Sequence, residues 1–136
     1  MIVIIDGTQG YSGGRKINEA CLERHHNKGT DEEKINYHND ILEAKIYFGD
    51  NLVLSLWSEF IENEEGWDEL SEEKRKQDCE TKAFKRLAEN LKKLFPRLLL
   101  VLLMDSLYAS EPVMDTCERN GWDYIIRYKS GSIPSI

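Results

Sequence analysis

Two aspartates in this chain stand where chemistry is easiest to build. Asp6 closes the apolar run Ile2-Val3-Ile4-Ile5, and Asp105 closes Leu98-Leu99-Leu100-Val101-Leu102-Leu103-Met104. A carboxylate at the C-terminal end of a buried strand points into the crevice where open α/β sheets bind ligands. Two carboxylates brought within a few ångströms repel, and a cation between them relieves the repulsion. Hard divalent cations suit such oxygen donors, Mg²⁺ commonly taking one or two carboxylates together with phosphate oxygens. Asp6, Asp105 and one further acid would therefore suit metal-dependent phosphoryl transfer, in which two ions clamp the attacking and leaving oxygens. The plainer alternative is that each aspartate caps the turn that follows it.

The elements that must position them can be read in chain order. The uninterrupted apolar character of 2–6 and 98–104 predicts strands covered on both faces, and the second run is too short to cross a bilayer. Residues 7–34 are polar and rich in glycine without clear periodicity, which predicts either a functional or mobile loop or a long excursion with a short helix near Asn18–Arg24. Residues 37–48 and 51–61 predict a hairpin turning at Gly49-Asp50. A helix is expected from Ser71, a plausible N-cap, to Phe95, with Glu72 and Glu73 at its positive end, Lys92 and Lys93 at its negative end and Pro96 as its stop. Its apolar stripe, Ala83 or Phe84, Leu87, Leu91, and Leu94 or Phe95, extends back by one turn onto Cys79 or Glu80. A short helix starts at Glu111-Pro112 and ends at Asn120-Gly121, and a last strand runs from Trp122 to Tyr128. A strand–helix–strand crossover places strands 2–6 and 98–104 parallel and close, so that Asp6 and Asp105 meet at one end of the sheet. The expected fold class is α/β, a single domain with a mixed sheet in the order strand, hairpin, long helix, strand, short helix, strand.

Composition restricts the function classes. The 136 residues are 40% hydrophobic and 32% charged, as in a soluble globular domain. No secretory signal precedes the first strand, and the three scattered cysteines (Cys21, Cys79, Cys117) predict reduced thiols and a cytoplasmic location. The net charge is −7, yet residues 59–73 hold eight acids and no Lys or Arg. Without that segment, 17 of the 25 acids face 18 bases, a remainder of +1. Charge thus neither supports nor excludes a nucleic-acid partner. A serine-hydrolase reading around Ser106 fails for want of a Gly-x-Ser-x-Gly elbow.

Several segments carry a resemblance. Ile4-Ile5-Asp6-Gly7-Thr8-Gln9, Gln77-Asp78-Cys79-Glu80-Thr81-Lys82-Ala83-Phe84-Lys85-Arg86-Leu87, Asp105-Ser106-Leu107-Tyr108-Ala109 and Asn120-Gly121-Trp122-Asp123-Tyr124-Ile125-Ile126-Arg127 resemble the catalytic domain of bacterial insertion-sequence transposases of the DDE type. The resemblance spans nearly the whole chain. It implies an RNase H-like fold, Mg²⁺ or Mn²⁺ as cofactor, DNA cleavage and strand transfer in DNA transposition, DNA as partner and possible homodimerisation. It maps the first two acids of the Asp-Asp-Glu triad onto Asp6 and Asp105, 99 residues apart. The third is expected on a helix after the last strand, and residues 1–136 leave no room for one. The expectation is therefore a core fragment that is inactive as an isolated chain. The alternatives are a non-catalytic remnant with weak metal or DNA binding, or a small nuclease using Asp6, Glu80 and Asp105.

Glu80 is a candidate further ligand, because nucleases of the RNase H type place a glutamate on the helix before the second aspartate's strand; the alternative is a surface charge paired with Lys76 or Lys85. Arg15, Lys16, Arg127 and Lys129 are candidate DNA-backbone contacts. Glu59 and Glu62 read as solvated. Cys21, His25, His26 and His38 include zinc-ligand types, but their spacing fits no tight structural zinc pattern.

Overall fold

The computed structural model describes residues 1–27, 29–62 and 72–127, with backbone alone over 72–78. Its elements are β1 (Ile2–Gly13), β2 (Leu22–His26), β3 (Lys34–Gly49), β4 (Leu52–Ile61), α1 (Glu72–Leu94), β5 (Val101–Met104), a 3₁₀ turn (Ser106–Tyr108), α2 (Glu111–Arg119) and β6 (Asp123–Ile126). The expected cap at Ser71, most of the acidic segment, Tyr128 and the C-terminal tail lie outside the described residues.

The sheet runs β2-β3-β1-β5-β6, with β4 also paired to β3. β1 is antiparallel to β3 and parallel to β5, which is in turn parallel to β6. An antiparallel unit of four strands, β1–β4, followed by two parallel strands, with helices packed on the sheet, is compatible with an RNase H-like fold. Both helices join one core cluster with Val3, Ile5, Leu42, Ala44, Ile46, Leu102 and Met104 of the sheet. From α1 come Ala83, Phe84, Leu87, Ala88 and Leu91, all fully or almost fully buried. The spacing expected of the stripe is therefore observed, and it closes on Phe95, which packs against the core, while Leu94 is half exposed. Truncating a leucine in such a position leaves a cavity as well as losing transfer energy.

The other face of the sheet is a correction. Strands 2–6 and 98–104 were expected to be covered on both sides. Instead Ile2, Tyr47, Val53 and Phe60 remain about 40% exposed and Ile125 62% exposed. Their register puts Ile2 opposite Tyr47 and Tyr47 opposite Val53, away from the helices. β5 is also shorter than the apolar run, because Leu99 turns outward at 78% exposure while Leu100 turns in. A continuous apolar run thus marked a strand that is buried on one face and half covered on the other.

The excursion expected over 7–34 is a second correction. β1 continues to Gly13, and β2 pairs with the start of β3, from Leu22 opposite His38 to His26 opposite Lys34. In place of a helix near Asn18 there is a turn, in which Asn18 Oδ1 accepts from the Ala20 N–H and the Asn18 carbonyl accepts from the Cys21 N–H. The three strands form a ribbon with both faces largely wet, so no alternation announces it.

Two turns follow their chemistry. The β3–β4 hairpin turns at Asp50 and Asn51, both with positive φ (49° and 62°), as a type I′ turn demands; the expected Gly49-Asp50 is one residue early. α2 ends as expected at Asn120-Gly121. Gly121 (φ 70°) donates to the Glu118 carbonyl, and the Trp122 N–H reaches back to Cys117, a Schellman closure with its apolar pair buried. Among the described residues no helix is long and apolar enough to cross a membrane, and all three cysteines are buried and none forms a disulfide.

Candidate active site

The parallel ladder sets the site. Ile2 pairs with Val101, Val3 with Leu102 and Ile4 with Leu103. Continuing that offset of 99 residues brings Asp6 opposite Asp105, two residues past the last paired residues. Both line one pocket of about 250 Å³, together with Gly7, Thr8 and Gln9 of β1, Asp40 of β3, Ile61 of β4, Glu80 of α1, Leu107 and Tyr108 of the 3₁₀ turn, and Arg24 of β2. Asp6 and Asp105 are exposed at its rim, whereas Glu80 and Tyr108 are buried.

Each acid is held differently. Asp105 caps the 3₁₀ turn, its Oδ1 accepting from the Leu107 N–H at 2.8 Å. The capping role and the pocket-facing role thus coexist on one side chain. Asp40 Oδ1 lies 3.0 Å from Nδ1 of the buried His38. Glu80 falls where the apolar stripe of α1 extends by one more turn, and its Oε2 accepts from the Tyr108 hydroxyl at 2.9 Å. Burial, followed by the charge and hydrogen bond of Glu80 and the charges of Asp105 and Asp6, pushes the Tyr108 phenol well above its ordinary value. Tyr108 accordingly stays a donor at any physiological pH, in the field of three carboxylates.

Four carboxylates and, among the described lining residues, one cation give the pocket a strongly negative character. Its donors are hard oxygens, which suits Mg²⁺ or Mn²⁺ better than thiolate- or imidazole-seeking metals. Among the described residues no three His, Cys, Asp or Glu side chains stand close enough to enclose an ion by themselves. The fit is therefore to an ion held by one or two carboxylates, with water or phosphate oxygens completing its shell.

The remaining candidates are dispersed. Arg15 and Lys16 lie in the exposed loop after β1, Lys16 3.8 Å from Glu19. Arg127 is exposed beyond β6, and Lys129 lies outside the described residues. Glu59 is structural: it accepts from Trp57 Nε1 and Asn90 Nδ2 and lies 3.8 Å from Arg86, tying β4 to α1. Cys21, His25, His26 and His38 form no metal-holding group among the described residues. His25 is held instead by Glu33 and Glu23, at 2.8 and 3.2 Å. Sequence reasoning missed Asp40, Arg24 and Tyr108 as pocket residues. No local signal marks the first two, whereas Tyr108 belongs to a segment that carried the resemblance.

Residues 76–134 match the family described as transposase DDE domain. Neither a curated protein nor a solved structure gives a significant match.

Proposed function

We propose, from a chain whose residues 76–134 match the transposase DDE domain family, that residues 1–136 are the RNase H-like core of a transposase. Its activity is divalent-dependent cleavage and strand transfer on DNA. The observation that carries this reading is the parallel register that sets Asp6 opposite Asp105 in the pocket that also holds Glu80. Asp6 and Asp105 hold the cation, and Glu80 faces the same pocket from the helix side. A bound Mg²⁺ or Mn²⁺ supplies charge neutralisation at the phosphoryl group and activation of the attacking oxygen. The chain's own residues position and exclude. Two strand ends fix the aspartates at a spacing that the ladder does not allow to drift, and Tyr108 and Leu107 close the inner side of the pocket. Arg24 reaches the pocket from β2 as a cation of the kind that meets a non-bridging phosphate oxygen. Arg15, Lys16, Arg127 and Lys129 serve DNA backbone away from the scissile phosphate. DNA is the partner, with homodimerisation and a cytoplasmic location following from the same reading.

The test is divalent-linked stability. Mn²⁺ or Mg²⁺ that binds the native state raises the melting temperature by mass action, and Asp6→Asn with Asp105→Asn should abolish that rise. It should also stabilise the metal-free protein by removing repulsion between like charges. A rise unchanged in the double variant would place the cation elsewhere, with the acidic segment 59–73 as the first candidate. Glu80's place in the pocket also favours a second reading, a self-contained nuclease using Asp6, Glu80 and Asp105. Mg²⁺-dependent nicking of plasmid DNA by the 136-residue chain, lost in Glu80→Gln, would establish it.

A further inference from the structure

Glu80 occupies an expensive position. It is 8% exposed on the core stripe of a helix, one residue from buried Cys79 and one turn from Phe84. A carboxylate there sacrifices hydration that an aliphatic side chain would not miss. Tyr108 repeats the pattern at 2% exposure, its ring centroid 6.1 Å from that of Phe84 and its hydroxyl donating to Glu80 Oε2. A phenylalanine would fill the same space without a polar atom to satisfy. Replacing such a buried polar pair with apolar residues of similar volume is often neutral or stabilising, so packing alone does not account for it. What the pair achieves is geometric: it fixes the plane of a carboxylate that lines the pocket of Asp6 and Asp105.

The turn that carries Tyr108 strengthens the point. Asp105 caps it through Leu107, and Tyr108 is its last residue. One 3₁₀ turn therefore ties the position of one pocket acid to the orientation of another. We infer that Tyr108 is a positioning residue, whose hydroxyl orients Glu80 toward the divalent cation that Asp6 and Asp105 hold. Outer hydrogen bonds of this kind orient ligands and are typically worth about 10–100-fold in metal affinity. The inference rests on the proposed cation site.

The experiment is Mn²⁺ titration of the purified chain, followed by the electron paramagnetic resonance of the free ion. Tyr108→Phe, which keeps the ring, should weaken binding about 10–100-fold. In a Glu80→Gln background the same change should weaken it no further, because the carboxylate it orients is gone. A merely structural tyrosine would lower affinity equally in both backgrounds, and that result would overturn the inference. Undiminished affinity in Tyr108→Phe, with Asp6→Asn clearly weakened, would overturn it too while leaving the cation site standing. Wild-type affinity in both Asp6→Asn and Glu80→Gln would remove the site itself. Should Tyr108→Phe fail to fold, 3-fluorotyrosine placed at 108 gives a second readout. Its fluorine resonance should move as Mg²⁺ is added to saturation, and a resonance that stays put would overturn the inference.

Discussion

β3 is one strand with two lives. From Asp40 to Gly49 it lies between β1 and β4 beneath α1, and Leu42, Ala44 and Ile46 are buried to 3% exposure or less. From Lys34 to Asn39 it lies between the far end of β1 and β2, with Lys34 and Ile35 open to solvent and Asn36 half-buried. The first half is held by apolar burial, the second mainly by ladder hydrogen bonds and polar side-chain contacts such as Asn36 to Ser12 at 2.8 Å. Only the first half has a face to advertise, so only that half shows a hydrophobic alternation. The candidate site sits between them, drawing Asp6, Glu80 and Asp105 from the packed end and Arg24 from the ribbon.

The sharpest way to break this contrast is to damage each half and compare. Leu87, fully buried where α1 meets the sheet, should lose about 2–5 kcal/mol on change to Ala. Ile35→Ala in the ribbon, where the side chain is 40% exposed, should change stability by about 0.5 kcal/mol or less. Urea denaturation of both variants measures this directly, and comparable losses would mean that the ribbon is integrated into the core.

A smaller effect is expected at the hairpin. Asn51 holds a φ of 62° at the second turn position, where a type I′ turn favours glycine. Asn51→Gly should stabilise by about 0.5 kcal/mol, since asparagine already tolerates this conformation better than most residues. A lowered urea midpoint would show that the turn relies on the asparagine side chain.

The smallest effect belongs to the ribbon and depends on pH. The His25 pKa is raised by its hydrogen bond to Glu33 first and to Glu23 second, with their charges adding to the shift. A raised folded-state value means that the imidazolium favours the native ribbon. That contribution is fully present below the unfolded value of about 6.5 and is lost as pH climbs through the higher folded value. Amide exchange at Glu23–His25 and Ile35–Tyr37 should therefore be better protected at pH 5.5 than at pH 8, after correction for intrinsic rates. Glu33→Gln should flatten the difference, while exchange in β5 should show no such dependence.

These contrasts also explain what could be read in advance. The α1 stripe through Leu87 and Leu91, the Gly121 closure of α2 and the β3–β4 hairpin were legible, because burial periodicity and left-handed backbone leave local marks. So was the placing of Asp6 and Asp105 at one end of the sheet, because each closes an apolar run and parallel neighbouring strands end on the same side. The ribbon was not legible, since strands with two wet faces carry no period. Nor was the open sheet face around Ile2, Tyr47 and Ile125, because an apolar side chain states a preference for cover without showing whether cover exists.

The sequence by itself determined the two helices, the β3–β4 hairpin, the helical face that becomes core and the two strand ends on which the acids stand, all of them consequences of spacing within a few residues. Tertiary structure alone decided which distant groups share the pocket. Arg24, Asp40, Glu80 and Tyr108 come from β2, β3, α1 and the 3₁₀ turn. Their convergence depends on sheet order, on the offset of the β1–β5 ladder and on one buried hydrogen bond between residues 28 apart. No local propensity encodes such a meeting, because it is fixed by how whole elements pack.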